Sequence, residues 1–164
     1  MQQLDLNGAT INCANAGLAA GTTSTYTTTA TTAHVIGGKY GTTLAAQTNT
    51  ATPTTDVNTS AAFDAQGDDT ACAYVFGVNA AGAIKVAQGA VVATQVGVTT
   101  TAGDLIVPPP FPPLPDDFCP IGYVLIRSAP SASAWTFGSS NWDATGITDH
   151  WYNVATLPSR PQTV

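Results

Sequence analysis

Six prolines crowd into the eight residues 108–115 (Pro108, Pro109, Pro110, Pro112, Pro113 and Pro115), with Phe111 and Leu114 between them. Proline has no amide hydrogen and holds φ near −65°, so this stretch can supply neither a sheet ladder nor a helix interior. It is expected to form a stiff polyproline II rod rising about 3.1 Å per residue. An apolar run flanks it on each side. Leu105–Val107 precedes it as a short strand candidate, and Ile121–Ile126 follows as the most strand-like run in the chain. A rod between two buried strands has a defined span, either across the top of a sandwich or out to a neighbouring chain. Phe111 and Leu114 are its expected anchors.

The rest of the composition fits strands and not helices. Ala and Thr number 27 each in 164 residues, all ten acidic residues are Asp, and there is no Glu. With only four Lys or Arg, an exposed helix surface has almost no material. Thr, Val, Ile, Tyr and Phe favour pleated, half-buried strands. The expected class is all-β, an antiparallel β-sandwich with an extended Thr-rich N-terminal arm over 1–60 and a body over 61–164. Within the arm, Leu4-Asp5-Leu6-Asn7 alternates and residues 9–13 read as a strand. Residues 22–32 are almost wholly Thr, Ser and Tyr. Two readings of that run stand open: a solvated strand pair within the chain, or a Thr ladder paired with another copy.

Residues 33–36, ending at Gly37-Gly38, look like one arm of a hairpin. The clearest strand signal runs from Ala71 to Val78. There Cys72, Tyr74, Phe76 and Val78 fall on one face, and Ala71, Ala73, Val75 and Gly77 on the other. Asn79–Gly82 makes a turn, residues 83–87 return, and residues 90–98 are expected as the third strand of a meander. Trp135–Phe137 is a further short strand candidate. All three Trp lie between Trp135 and Trp151, as core plugs or interface anchors.

Charge narrows the functional classes. A net charge of −6 with charged residues at 9% argues against a nucleic-acid partner, which needs clustered Lys or Arg. No apolar run approaches 18 residues and no signal-peptide pattern opens the sequence, so no membrane partner and no secretion are expected. Cys13, Cys72 and Cys119 are irregularly spaced, which fits unbridged thiols, the rival being one disulfide and one free thiol.

No spacing matches known chemistry. The neighbouring pairs Asp68-Asp69 and Asp116-Asp117 would point to opposite faces of a strand and read as turn or cap residues. Residues 63–69 lack the alternating ligands and closing Glu of a calcium loop. His34 and His150 have no spaced Cys, His or Glu partner for zinc. The sequence carries no GxSxG, P-loop or GxGxxG motif. No catalytic residue, metal or cofactor is expected.

A resemblance covers roughly the last ninety residues. Its elements are Tyr74–Gly82, Ala90-Val91-Val92, Pro112-Pro113-Leu114-Pro115 leading to Pro120–Ile126, Trp135–Gly138, Asp143–Thr148 and Leu157–Pro161. In this order they resemble small β-rich virion proteins of tailed bacteriophages, mostly capsid decoration or head-fibre proteins. Gly138 follows Phe137 directly where similar sequences carry a Phe-Thr-Pro-Gly turn. The resemblance implies a non-enzymatic protein on the capsid exterior, made in the host cytoplasm. It would decorate or cement the shell against the major capsid protein, as a homotrimer of jelly-roll-like bodies. Phe111, Leu114, Trp135, Phe137, Trp142 and Trp151 are then the expected subunit or partner contacts. Two other functions fit an all-β chain: a tail or receptor-binding component, and a carbohydrate-binding sandwich with Trp135, Trp142 and Trp151 as its sugar platform.

Overall fold

The computed structural model describes residues 9–132 and 134–162. The Leu4–Asn7 piece expected in the arm lies outside them. Eleven strands form three antiparallel sheets, and the described residues contain no helix.

Two long strands dominate. β7 (Thr70–Asn79) and β10 (Phe118–Ser128) lie side by side, and residues 71–78 and 118–126 are all buried. Both faces of β7 are apolar in the sequence, and both are covered. β8 (Ile84–Gln88) and β9 (Val92–Ala93) pair with the far side of β7, and β11 (Ile147–Asn153) pairs with β10. The β7–β10 register slips between Pro120 and Gly122. Pro120 has no N–H to give the ladder, and a bulge is where a central strand tolerates such a residue.

The expected meander is met in its first two strands and altered in its third. After Gly89 the chain does not run on beside β8. Val92–Ala93 instead pairs with the start of β7, at Ala71 and Thr70. Leu105 and Trp135, expected within short strands, make only single bridges, to Thr94 and Gln66. The outer edge of β8 is occupied by residues 56–57: the Val57 N–H donates to Val86 O at 2.9 Å, and Asp56 Oδ1 accepts the Gln88 N–H at 3.0 Å.

Residues 9–60 do not stand apart as an arm. β2 (Leu18–Ala20), β3 (Thr25–Thr28) and β6 (Gln47–Ala51) form one sheet, and β1 (Ile11–Asn12), β4 (His34–Ile36) and β5 (Lys39–Tyr40) another. The Thr-rich run therefore pairs within its own chain. β3 alternates, with Tyr26 and Thr28 buried and Thr25 and Thr27 half-buried. Leu18 and Tyr26 enter the main core. Asn153 ties this sheet to β11, accepting the Leu18 N–H at 2.6 Å and donating to Leu18 O at 3.1 Å. A Thr-rich segment builds no core alone, but two apolar side chains suffice to seat it on another.

The main core fills the front of the central sheet, where Tyr74, Phe76, Val124 and Ile126 meet Phe63, Trp135, Phe137 and Trp142. The back holds a smaller cluster of Val75, Phe118 and Tyr123. Phe111, Leu114, Tyr152, Val154 and Leu157, each partly buried, lie over it. The proline segment thus closes the back of its own sheet. Pro109 and Pro112 are buried while Pro110 and Pro113 are exposed. Phe111 meets Tyr123 edge-on at 4.9 Å. The Pro110 carbonyl lies over Gly89, where an added Cβ would stand 2.5 Å away. Beyond it, the Gln162 N–H donates to the Tyr123 hydroxyl at 2.8 Å and fastens the tail.

Candidate functional site

Three of the six expected contact residues are interior. Trp135 and Phe137 are each 1% exposed and Trp142 is 3%. Tyr74 and Phe137 stack at 4.5 Å, Trp135 and Trp142 tilt at 5.5 Å, and Trp142 meets Trp151 edge-on at 5.1 Å. Each indole N–H has an acceptor: Asn141 O for Trp135, Thr25 O for Trp142 and Asp149 Oδ2 for Trp151. Buried indoles need such partners. These rings join three separate parts of one chain, so Trp135, Phe137 and Trp142 belong to its core and not to a contact surface. They also form no exposed platform of parallel rings, the arrangement a sugar face requires. Trp151 is half-buried on the same cluster. Phe111 and Leu114 lie on the opposite side of the sheet, and the structure does not bring them together with the tryptophans.

The polar side chains have mostly structural partners. Asp56 Oδ2 accepts the Thr59 N–H at 3.0 Å. Asp69, at φ 50°, accepts the Gly97 N–H on Oδ1 at 2.8 Å and the Thr94 N–H on its carbonyl at 2.8 Å. Arg127 stands 3.9 Å from Asp104, and its guanidinium lies 3.4 Å from both Gly103 O and His150 Nε2. His34 is fully buried, with neither ring nitrogen hydrogen-bonded, and burial holds its pKa below the usual histidine range. The three thiols are free. Burial pushes the Cys72 thiol up to about 12 and the Cys119 thiol up to about 11, the behaviour of inert packed cysteines rather than nucleophiles.

What stands uncovered lies elsewhere. Val96 is 81% exposed, Val98 76%, Ile106 62% and Val107 57%. They belong to a finger between β9 and the proline segment. Its two limbs are joined at Thr94–Leu105 and Val98–Thr101, with the Gln95 N–H donating to Asp104 O at 2.9 Å. The limbs run unusually close: a Cβ at Gly97 would lie 2.2 Å from Thr101 O, and one at Gly103 1.9 Å from Gln95 O. Asp69 holds the base, and Ser131 holds the tip by donating its N–H (3.1 Å) and its hydroxyl (2.5 Å) to Thr99 O.

Sequence reasoning missed this feature because the same valines and leucine-isoleucine pair read as buried strands. Gly97 and Gly103, bracketing a run of three threonines, were the available signal. Comparison of the chain with protein-family models, with curated proteins and with solved structures finds no match. Function therefore rests on the residues and their arrangement.

Proposed function

We propose that this chain is a non-enzymatic bacteriophage virion protein that decorates or cements the outside of the capsid as an oligomer, bound to the major capsid protein. The observation that carries this is where the phage-like motifs fall. Tyr74–Gly82 is most of β7 and the turn after it, Pro120–Ile126 is the centre of β10, and Asp143–Thr148 leads into β11. Pro112–Pro115 and Leu157–Pro161 belong to the cover on the back of that sheet. Four of the six motifs thus fall in one sheet and the cover on its back; of the other two, Ala90-Val91-Val92 runs into β9 on the same sheet and Trp135–Gly138 packs on its front.

Two further features support the reading. Burial along the proline segment repeats every third residue, with Pro109 and Pro112 in and Pro110 and Pro113 out. That is the period of a polyproline II helix, whose preformed extended shape loses little entropy when it docks. A chain with 9% charged residues also has large uncharged areas that protein contacts can cover without desolvating ions. The full architecture we propose is a jelly-roll-like sandwich, arranged as a trimer at the local three-fold positions of a shell.

Immunogold labelling of particles released by cells that carry the coding sequence tests the assignment. Label distributed over the outer shell is the expected result. Label confined to tails, or particles free of the chain, would overturn it.

A further inference from the structure

The small sheet of β1, β4 and β5 lies over the start of β10. Its strands are two, three and two residues long. Both β1 and β4 touch β10, and Thr10 and Gly37 share a groove with Phe118 and Pro120. The Val35 backbone lies against the Cys119 sulfur, which is fully buried there. Asn12 ties the sheet down, donating its N–H to Ala155 O at 2.9 Å and its side-chain amide to Val154 O at 3.2 Å. A unit this short, with so few bonds to the body, belongs to the low-stability end of a fold and is the kind that opens locally.

His34 is the interior side chain of β4. Its ring is wholly buried, neither nitrogen has a hydrogen-bond partner, and Gly41 leaves no room for even a Cβ beside Nε2. The titratable groups on the elements around it are Cys13 after β1, Lys39 and Tyr40 on β5, Asp116 and Asp117 just before β10, and Cys119 on β10. All but Cys119 are exposed, and Cys119 is a neutral thiol. Burial is the one cause of the lowered His34 pKa, so no carboxylate stands ready to meet a charged ring.

We infer that the sheet of β1, β4 and β5 is an acid-opened flap: protonation of His34 releases it from β10 and uncovers the Cys119 thiol. The inference does not depend on the virion assignment. An unpaired imidazolium is far more stable in water than in this interior. Lifting the flap wets the ring at the loss of the two Asn12 bonds, while β10 keeps its ladders with β7 and β11. The open flap takes up the His34 proton near the ordinary 6.5, and the closed flap only below that value. Acid therefore adds nothing to opening above pH 6.5. Below it, opening grows by up to about tenfold per pH unit until the depressed closed-state pKa is reached.

The three cysteines, at three depths, report on the flap. Cys13 is exposed, Cys119 lies under the flap, and Cys72 lies on β7 in the main core. Thiol labelling of the full chain with 4,4′-dithiodipyridine, located by mass spectrometry, is run near pH 7.5 and near pH 5.5. Cys13 sets the intrinsic rate at each pH, so the ratio of Cys119 to Cys13 labelling reads the opening. In wild type that ratio is expected to rise several-fold, up to about tenfold, at the lower pH, with Cys72 unlabelled at both. The same rise is expected in His150→Gln, which removes the other histidine. His34→Leu and His34→Gln do not titrate and are expected to show no rise. A wild-type ratio that does not move would overturn the inference whatever the variants do. So would a rise that survives in either folded His34 variant, or one that is lost in His150→Gln. Labelling of Cys72 together with Cys119 would also overturn it, because the whole chain would then be unfolding.

Discussion

The two faces of the central sheet are closed by different means. On the front, large rings from distant parts of the chain interlock: Phe63, Trp135, Phe137 and Trp142 each pack on Tyr74, Phe76 or one another. On the back, a stretch that cannot join any sheet lies across the strands, offering Phe111 and Leu114 as half-buried contacts. A front filled by rings leaves only partly buried residues such as Trp151 and Ile147 at its margin. The back ends in a braced finger whose valines face water. The contrast separates the residues that hold the chain together from those free to hold something else. Aromatic content alone does not tell the two apart.

The largest effect is expected on the front. Phe137→Ala leaves a cavity among five other rings and should cost about 3–5 kcal/mol, measured by urea unfolding. A loss below 1 kcal/mol would mean that Phe137 is not a core side chain. On the back, Phe111→Ala removes a ring that is only partly buried. It should cost about 1–2 kcal/mol, below the full-burial range. Equal losses at the two sites would erase the difference between the faces.

A smaller effect comes from the sheet formed by β1, β4 and β5. His34 is buried without hydrogen-bond partners, so its folded pKa lies below the unfolded value near 6.5. The unfolded chain therefore takes up this proton first as pH falls. The His34 contribution is complete above pH 6.5 and is lost progressively below it, as far as the depressed folded pKa. Melting temperatures measured between pH 7.5 and 5 should fall less steeply for His34→Leu than for wild type. Parallel curves would show that the imidazole titrates normally. The smallest effect on stability is expected at the finger, where Val96 is 81% exposed and Val96→Asp should stay within about 0.5 kcal/mol of wild type, read by the same urea unfolding.

The parts of the fold legible in the sequence were those set by local period and backbone chemistry. The alternation through Cys72, Tyr74, Phe76 and Val78 marks β7, the apolar run 121–126 marks β10, and the prolines exclude 108–115 from any ladder. Tertiary placement was not legible in the same way. Tyr26 is one ring in a threonine run, and nothing local says that it reaches across to Phe76 at 5.6 Å. Trp135 and Trp142 have the composition of interface anchors. Only the folded chain shows that Asn141 O and Thr25 O take their N–H groups inside it. Conversely Val96, Val98 and Ile106 have the composition of core strands. They stand exposed because Gly97 and Gly103 let the chain double back before it can join the sheet. Of the six contact residues expected from sequence, Phe111, Leu114 and Trp151 remain partly accessible.

Acrylamide quenching of tryptophan fluorescence across a wide dilution series tests most directly whether the aromatic cluster is interior to one chain. Emission is expected to stay blue-shifted, and quenching weak, at every concentration, because each monomer carries its own front core. A red shift with quenching that rises toward that of free indole on dissociation would place the tryptophans between copies and contradict the division of the two faces.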